Sequence, residues 1–263
     1  MPTAPPPGPP AAAPPPRPWR RRFARAVEVL LILAACGGLV LTCSVPNTGK
    51  LGEGNPTSTA FIDLRRDAAA AAGKPFKLQW EWRRLGLVSR YLRAAVVFSE
   101  DIHFYEHDGV DWGAIQNALE SDLGGSKIGG STITQQLAKN LYLSPARSMP
   151  RKAREMLIAF SLEDHLSKTR ILELYLNVVE WGDGVFGAEA ASRRWFGRSA
   201  AALTPAQAAR LATALPNPIT RNPDVGGADL TRKRVRLIQI FRMQGLIDAA
   251  QERDALDELG VSR

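Results

Sequence analysis

Gly129-Gly130-Ser131-Thr132-Ile133-Thr134-Gln135-Gln136-Leu137-Ala138-Lys139-Asn140-Leu141 opens on two glycines and runs into an amphipathic helical pattern. Thr132 followed three residues later by Gln135 fits a capping box. Unpaired backbone N–H groups at such a helix start attract an anion. Gln135 and Gln136 precede Lys139 by four and three residues, so all three can share one polar face. A capped surface helix has the same features, so the stretch alone leaves both readings open.

Helical periodicity continues on both sides. Leu87–Ser99, Arg151–Leu166, Lys168–Val179, Thr204–Leu215 and Thr231–Phe241 all carry apolar residues at three- and four-residue spacing. Ser167 and Thr204 stand where N-caps belong. Strand signals are sparse and no 20–50-residue repeat occurs, so all-β folds, solenoids and propellers are set aside. The expected fold is mainly α, a helical domain of about 200 residues.

Upstream the composition changes. Residues 1–18 are rich in Pro and Ala and cannot build a core. An arginine cluster follows (Arg17, Arg20, Arg21, Arg22, Arg25), then Val29–Val45 without a charge. Those residues span roughly 25 Å as a helix, and with Ala26 and Val27 they reach the transmembrane range. Leu33-Ala34-Ala35-Cys36 has the look of a lipobox, and a cleaved signal peptide is a third reading. The apolar run continues past Cys36, which favours an uncleaved single-pass anchor. The arginines then place the N-terminus in the cytoplasm and the helical domain beyond the membrane. The expected divisions are a tail at 1–25, an anchor at 26–45, a linker at 46–58 and the domain at 59–263.

The net charge is +8, from 34 basic and 26 acidic residues, and residues 1–28 supply half of it. The remainder suits either a solvated basic surface or a site for an anionic substrate. Both cysteines, Cys36 and Cys43, lie in the apolar segment, so no disulfide framework or zinc-thiolate site can form.

Two further stretches carry chemistry. Ser99-Glu100-Asp101-Ile102-His103-Phe104-Tyr105-Glu106-His107-Asp108-Gly109 closes an apolar helix. Glu100 follows Ala94-Ala95-Val96-Val97-Phe98, and a carboxyl against apolar surface gains the raised pKa that suits acid/base work. A solvated helix end is the plain alternative. His103 to His107 also matches H-x-x-E-H, but Asp108-Gly109 would end the helix that zinc ligation needs. In Arg147-Ser148-Met149-Pro150-Arg151-Lys152-Ala153-Arg154-Glu155, Arg151 and Glu155 sit one turn apart. This is either an ion-paired surface or a phosphate clamp with one embedded carboxylate. A nucleic-acid role is discounted, because the topology puts the domain outside the cytoplasm.

Taken together, five ordered stretches resemble the peptidoglycan glycosyltransferase family, in particular its monofunctional biosynthetic branch. They are Glu100-Asp101-x-x-Phe104-x-x-His107-x-Gly109, the Gly129–Asn140 stretch, Arg151-Lys152-x-x-Glu155, Ile171-Leu172-Glu173-x-Tyr175-Leu176-Asn177, and Leu203-Thr204 through Leu215-Pro216-Asn217-Pro218. The likeness covers about residues 59–245. It implies a lysozyme-like, two-lobed helical domain that polymerises lipid II with inversion and releases undecaprenyl pyrophosphate. Glu100 would be the general base. Lys139, Arg147 and Arg151, with Lys152 beside them, would meet the pyrophosphate. Glu155, taken as a second catalytic carboxylate, would orient those cations or hold a divalent ion, Mg or Mn; no cofactor is otherwise required. Ser131, Thr132 and Gln136 would line the substrate groove, and Asp101, Phe104 and His107 would shape the Glu100 loop. Implied partners are lipid II, the growing lipid-linked chain, the membrane and, left open, cell division or elongation proteins. Only about 45 residues follow Pro218, which leaves no room for a transpeptidase domain. A lytic, lysozyme-like hydrolase and a non-catalytic wall-binding scaffold remain as competing functions.

Overall fold

The computed structural model describes residues 18–122, 130–146 and 148–261. The expected tail residues 1–17, together with Gly129 and Arg147, lie outside the described residues. The chain divides into two units, residues 1–44 and 45–263.

Among its described residues the first unit contains one helix, α1 (Pro18–Cys43). It starts eight residues before the expected anchor, because Arg and Ala propagate a helix as readily as the apolar run does. Its Arg25–Cys43 portion is long and apolar enough to cross a membrane.

The second unit is almost wholly helical, as the periodicity predicts. The stretch expected as a linker is partly structured: α2 (Lys50–Glu53) buries Leu51. Thr48 is also buried, its hydroxyl 2.9 Å from the Ser161 carbonyl. There follow α3 (Ala60–Ala71), α4 (Arg90–Glu100), α5 (Trp112–Asp122), α6 (Ile133–Tyr142), α7 (Met149–His165) and α8 (Lys168–Val178). The chain closes with α9 (Ala188–Phe196), α10 (Pro205–Ala214), α11 (Ala228–Met243) and α12 (Ala249–Glu258).

Two helices organise the core. In α8 every residue from Ile171 to Val178 except Glu173 is buried, the mark of a helix covered on all sides. It packs against α6, α7 and α9. In α10 Ala206, Ala208, Ala209 and Ala212 are fully buried, and small side chains let α4 and α11 approach closely. Caps set the starts: Ser167 accepts from the Arg170 N–H, and Thr204 and Gln207 form a reciprocal capping box.

A small sheet, not expected from the sequence, is built from β1 (Gln79–Trp80), β2 (Glu180–Gly182) and β3 (Val185–Phe186), in the order β1-β3-β2. Strands of two or three residues are too short to show alternation. Asn177 ties the approach to this sheet onto α8. Its side chain accepts from Arg83 N (2.8 Å) and donates to Arg83 O (2.8 Å), and its carbonyl accepts from the Trp80 indole (2.7 Å). Gly187 makes this possible: at φ +82° a Cβ there would lie 2.8 Å from the Asn177 carbonyl oxygen.

Candidate active site

Glu100 is the last residue of α4, whose apolar residues Leu92, Ala95, Val96 and Val97 anchor it in the core. Its carboxylate borders a cleft of about 550 Å³. The Gln136 side-chain amide on α6 donates to Glu100 Oε2 at 2.8 Å. Burial pushes the Glu100 carboxyl above the usual carboxylate range; the Gln136 bond and the Lys139 charge work against that push, and Asp101 adds to it.

The next residue turns the chain and closes the start of α6. Asp101 is buried, accepts from Ile133 N–H at 2.9 Å, and meets His107 Nε2 at 3.0 and 3.1 Å. The anion expected at the α6 N-terminus is therefore supplied from within the chain, with the helix dipole favouring it. Thr132 caps α6 by accepting from Gln135 N–H, and its own hydroxyl donates to Gly109 O at 2.6 Å. The expected capping box is not reciprocal, since the Gln135 carbonyl takes a bond from Lys152 instead (2.9 Å). Phe104 is fully buried, edge-on to Tyr105 and His107, with the Lys168 ammonium 4.7 Å from its ring centre. It shapes the loop from inside and offers no surface to a ligand. The loop's His103–Asp111 pair (2.9 Å) lines the cleft, and the hydrogen bond to Asp111 raises the His103 pKa.

The basic stretch forms a compact cluster on α7. Arg151 and Lys152 each pair with one oxygen of Glu155, whose side chain is only 4% exposed. Lys152 also donates to Ser131 (3.1 Å), which lines the cleft. Lys139 on α6 stands 5.9 Å over the Phe61 ring. Burial lowers the Lys139 pKa most; the Glu155 and Glu100 charges oppose it, and Arg151 and Lys152 assist it.

A second set of cations was not anticipated. Arg221, Lys233 and Arg236 line the same cavity as Glu100, as do Thr213 and Leu237. They come from the turn after α10 and from α11. The helical period of Thr231–Phe241 marks the apolar face of α11 but says nothing of what its polar face meets. Both Glu155 oxygens face cations, so this donor set does not fit a protein-held divalent metal. Among the described residues no group of three metal-ligating side chains occurs elsewhere either.

A carboxylate of raised pKa in a cleft with cations from α11 and the turn before it, and with the α6–α7 cluster reaching its lining through the Lys152–Ser131 bond and not lining it directly, suits proton abstraction beside a strongly anionic group. Comparison with known proteins supplies the family. Residues 70–243 match the family model described as Transglycosylase. The chain belongs to the transglycosylase family. Three proteins named biosynthetic peptidoglycan transglycosylase are similar to it. That of Aromatoleum aromaticum is 53% identical over 166 residues, covering 62% of this chain and 72% of the relative. That of Alcanivorax borkumensis is 46% identical over 202 residues, covering 76% and 78%. That of Bordetella pertussis is 51% identical over 199 residues, covering 71% and 82%. The transglycosylase match spans α4 to α11 and so includes every described candidate side chain.

Proposed function

We propose that this transglycosylase polymerises lipid II into β-1,4-linked peptidoglycan strands by inverting displacement, and that Glu100 is its general base. The observation that carries the reading is the Glu100 carboxylate, held by Gln136 at the edge of a cleft that also holds Arg221, Lys233 and Arg236. In the reaction, Glu100 takes the proton of the acceptor sugar 4-hydroxyl as that oxygen bonds to the donor's anomeric carbon. The bond from that carbon to the pyrophosphate oxygen breaks, and its electron pair leaves with undecaprenyl pyrophosphate. The leaving group is already ionised, so fixed positive charge serves it better than a proton. Lys139, Arg151 and Lys152 are the described cations assigned to it. Glu155 acts through them: it holds two of the three side chains and is a positioning residue in this scheme. No step requires a metal. Ser131, bound to Lys152 at one side and facing the cleft on the other, is placed to touch the saccharide. A hydrolase of preformed glycan would have no pyrophosphate for this cluster to bind.

The membrane reading follows the same logic. α1 anchors the chain, the arginines at its N-terminal end face the cytoplasm, and the helical domain works in the periplasm, where lipid-linked donor and acceptor are both presented. The test is incubation of wild-type protein and Glu100→Gln with labelled lipid II, with products resolved by size. Wild type yields muramidase-sensitive polymer, and the variant loses about 10²–10⁴-fold in rate, the usual contribution of general-base catalysis. Polymer from the variant at near wild-type rate overturns the base assignment. Fragments released from preformed glycan, with no polymer, overturn the transferase reading.

A further inference from the structure

Gln136 can place either end of its side-chain amide against Glu100, because the two ends have nearly the same shape and opposite hydrogen-bonding character. The NH₂ end donates to the ionised carboxylate; the carbonyl end repels it. The ionised carboxylate thus favours the NH₂ end, and the group on the far side of the amide adds to that choice by needing an acceptor for its own proton. That group is the hydroxyl of Tyr175, a fully buried residue of α8, which donates to Gln136 Oε1 at 3.0 Å. Gln136 Nε2 then donates to Glu100 Oε2 at 2.8 Å. Three helices, α8, α6 and α4, are thus joined by two hydrogen bonds in series.

We propose that Tyr175 is a positioning residue for the base: its hydroxyl fixes the Gln136 amide so that the NH₂, and not the carbonyl, faces the Glu100 carboxylate. This rests on the assignment of Glu100 as base. Among the described residues, Gln136 is the one hydrogen-bond partner of Tyr175 Oη. Turning the amide over would leave a fully buried O–H with no acceptor and bring an amide oxygen against a carboxylate, both costly in an interior of low polarity. Burial, with the Glu100 and Asp101 charges adding to it, holds the phenol well above its usual pKa, so the hydroxyl keeps its proton. The backbone of Gln136 is held separately by a bond from Asn140 to its carbonyl (2.7 Å), so Tyr175 acts on the side chain alone.

The consequence is a base that stays ionised at lower pH than its burial alone would allow. Two other groups act on Glu100, Lys139 from α6 and Asp101 beside it, and the further charged groups that line its cavity are His103, Asp111, Arg221, Lys233 and Arg236. None of them contacts the Gln136 amide, so removing the Tyr175 hydroxyl alters one influence alone.

The test is the pH profile of polymerisation from saturating lipid II for wild type, Tyr175→Phe, Gln136→Leu and the double variant, with Glu100→Gln as reference. In Tyr175→Phe the acidic limb moves up by about one pH unit, roughly tenfold in rate below the limb. The alkaline plateau and KM stay within about twofold. Gln136→Leu moves the same limb at least as far, and the double variant no further than Gln136→Leu. A pH-independent loss in Tyr175→Phe assigns it a merely structural role and overturns the proposal. So does a limb that does not move in Gln136→Leu, a result that does not depend on whether Tyr175→Phe folds. Near wild-type activity of Glu100→Gln would instead overturn the base assignment, whatever the limbs do.

Discussion

Replacing Glu155 by Gln separates a positioning role from a chemical one. Glu155 is a nearly buried carboxylate held by two cations, with a third, Lys139, close enough to be influenced by it. Breaking a fully buried pair costs about 3–5 kcal/mol, and a hydrogen bond to a charged group contributes about 1.5–3 kcal/mol. Here the partners keep contact with water: the Arg151 and Lys152 side chains are 18% and 35% exposed. Solvent therefore recovers part of the loss, and Gln keeps the shape and one acceptor. About 2 kcal/mol remains, which in a domain of this size lowers Tm by about 4–8 °C. The cluster passes from three cations and one anion to three unbalanced cations. An added polyanion can then replace the missing charge. In thermal melts with and without inorganic pyrophosphate, the variant regains more Tm than wild type gains. Polymerisation falls in the variant, with the acidic limb of its pH profile unmoved, because Glu100 is untouched. An unchanged Tm, or equal pyrophosphate effects on the two proteins, refutes the reasoning.

Glu100 carries its own stability signature. Its carboxyl pKa is raised in the folded state, so its stabilising contribution is complete below the unfolded carboxylate pKa and is lost as pH rises through the folded value. Glu100→Gln does not titrate there, so its Tm advantage over wild type grows in melts as pH rises above the ordinary carboxylate range; an advantage that shrinks as pH rises contradicts the burial argument. The cations of α11 are testable through binding. Lys233→Gln with Arg236→Gln raises KM for lipid II by about tenfold or more and makes it less salt-sensitive, whereas Tm moves by less than about 2 °C because these residues line a cleft and not the core. An unchanged KM would show that the second cationic wall does not meet the substrate.

What could be read in the chain alone was what depends on near neighbours. The helix starts at Ser167 and Thr204 follow from a hydroxyl reaching a backbone N–H three residues on. The apolar spacing of 168–179 follows from the 3.6-residue turn, and the Arg151–Glu155 pair from the same geometry. Glu100 stood out because an apolar run precedes it. The partnerships that make these residues a site belong to the tertiary structure. Asp101 fills the start of α6 from 32 residues away, Gln136 reaches Glu100 across 36, and Tyr175 reaches Gln136 across 39. Arg221, Lys233 and Arg236 face the cleft only because Ala-rich α10 lets α4 and α11 pack close on either side of it. Periodicity tells which side of a helix is apolar. Which carboxylate meets which cation depends on how helices cross, and that is decided when distant apolar faces bury one another.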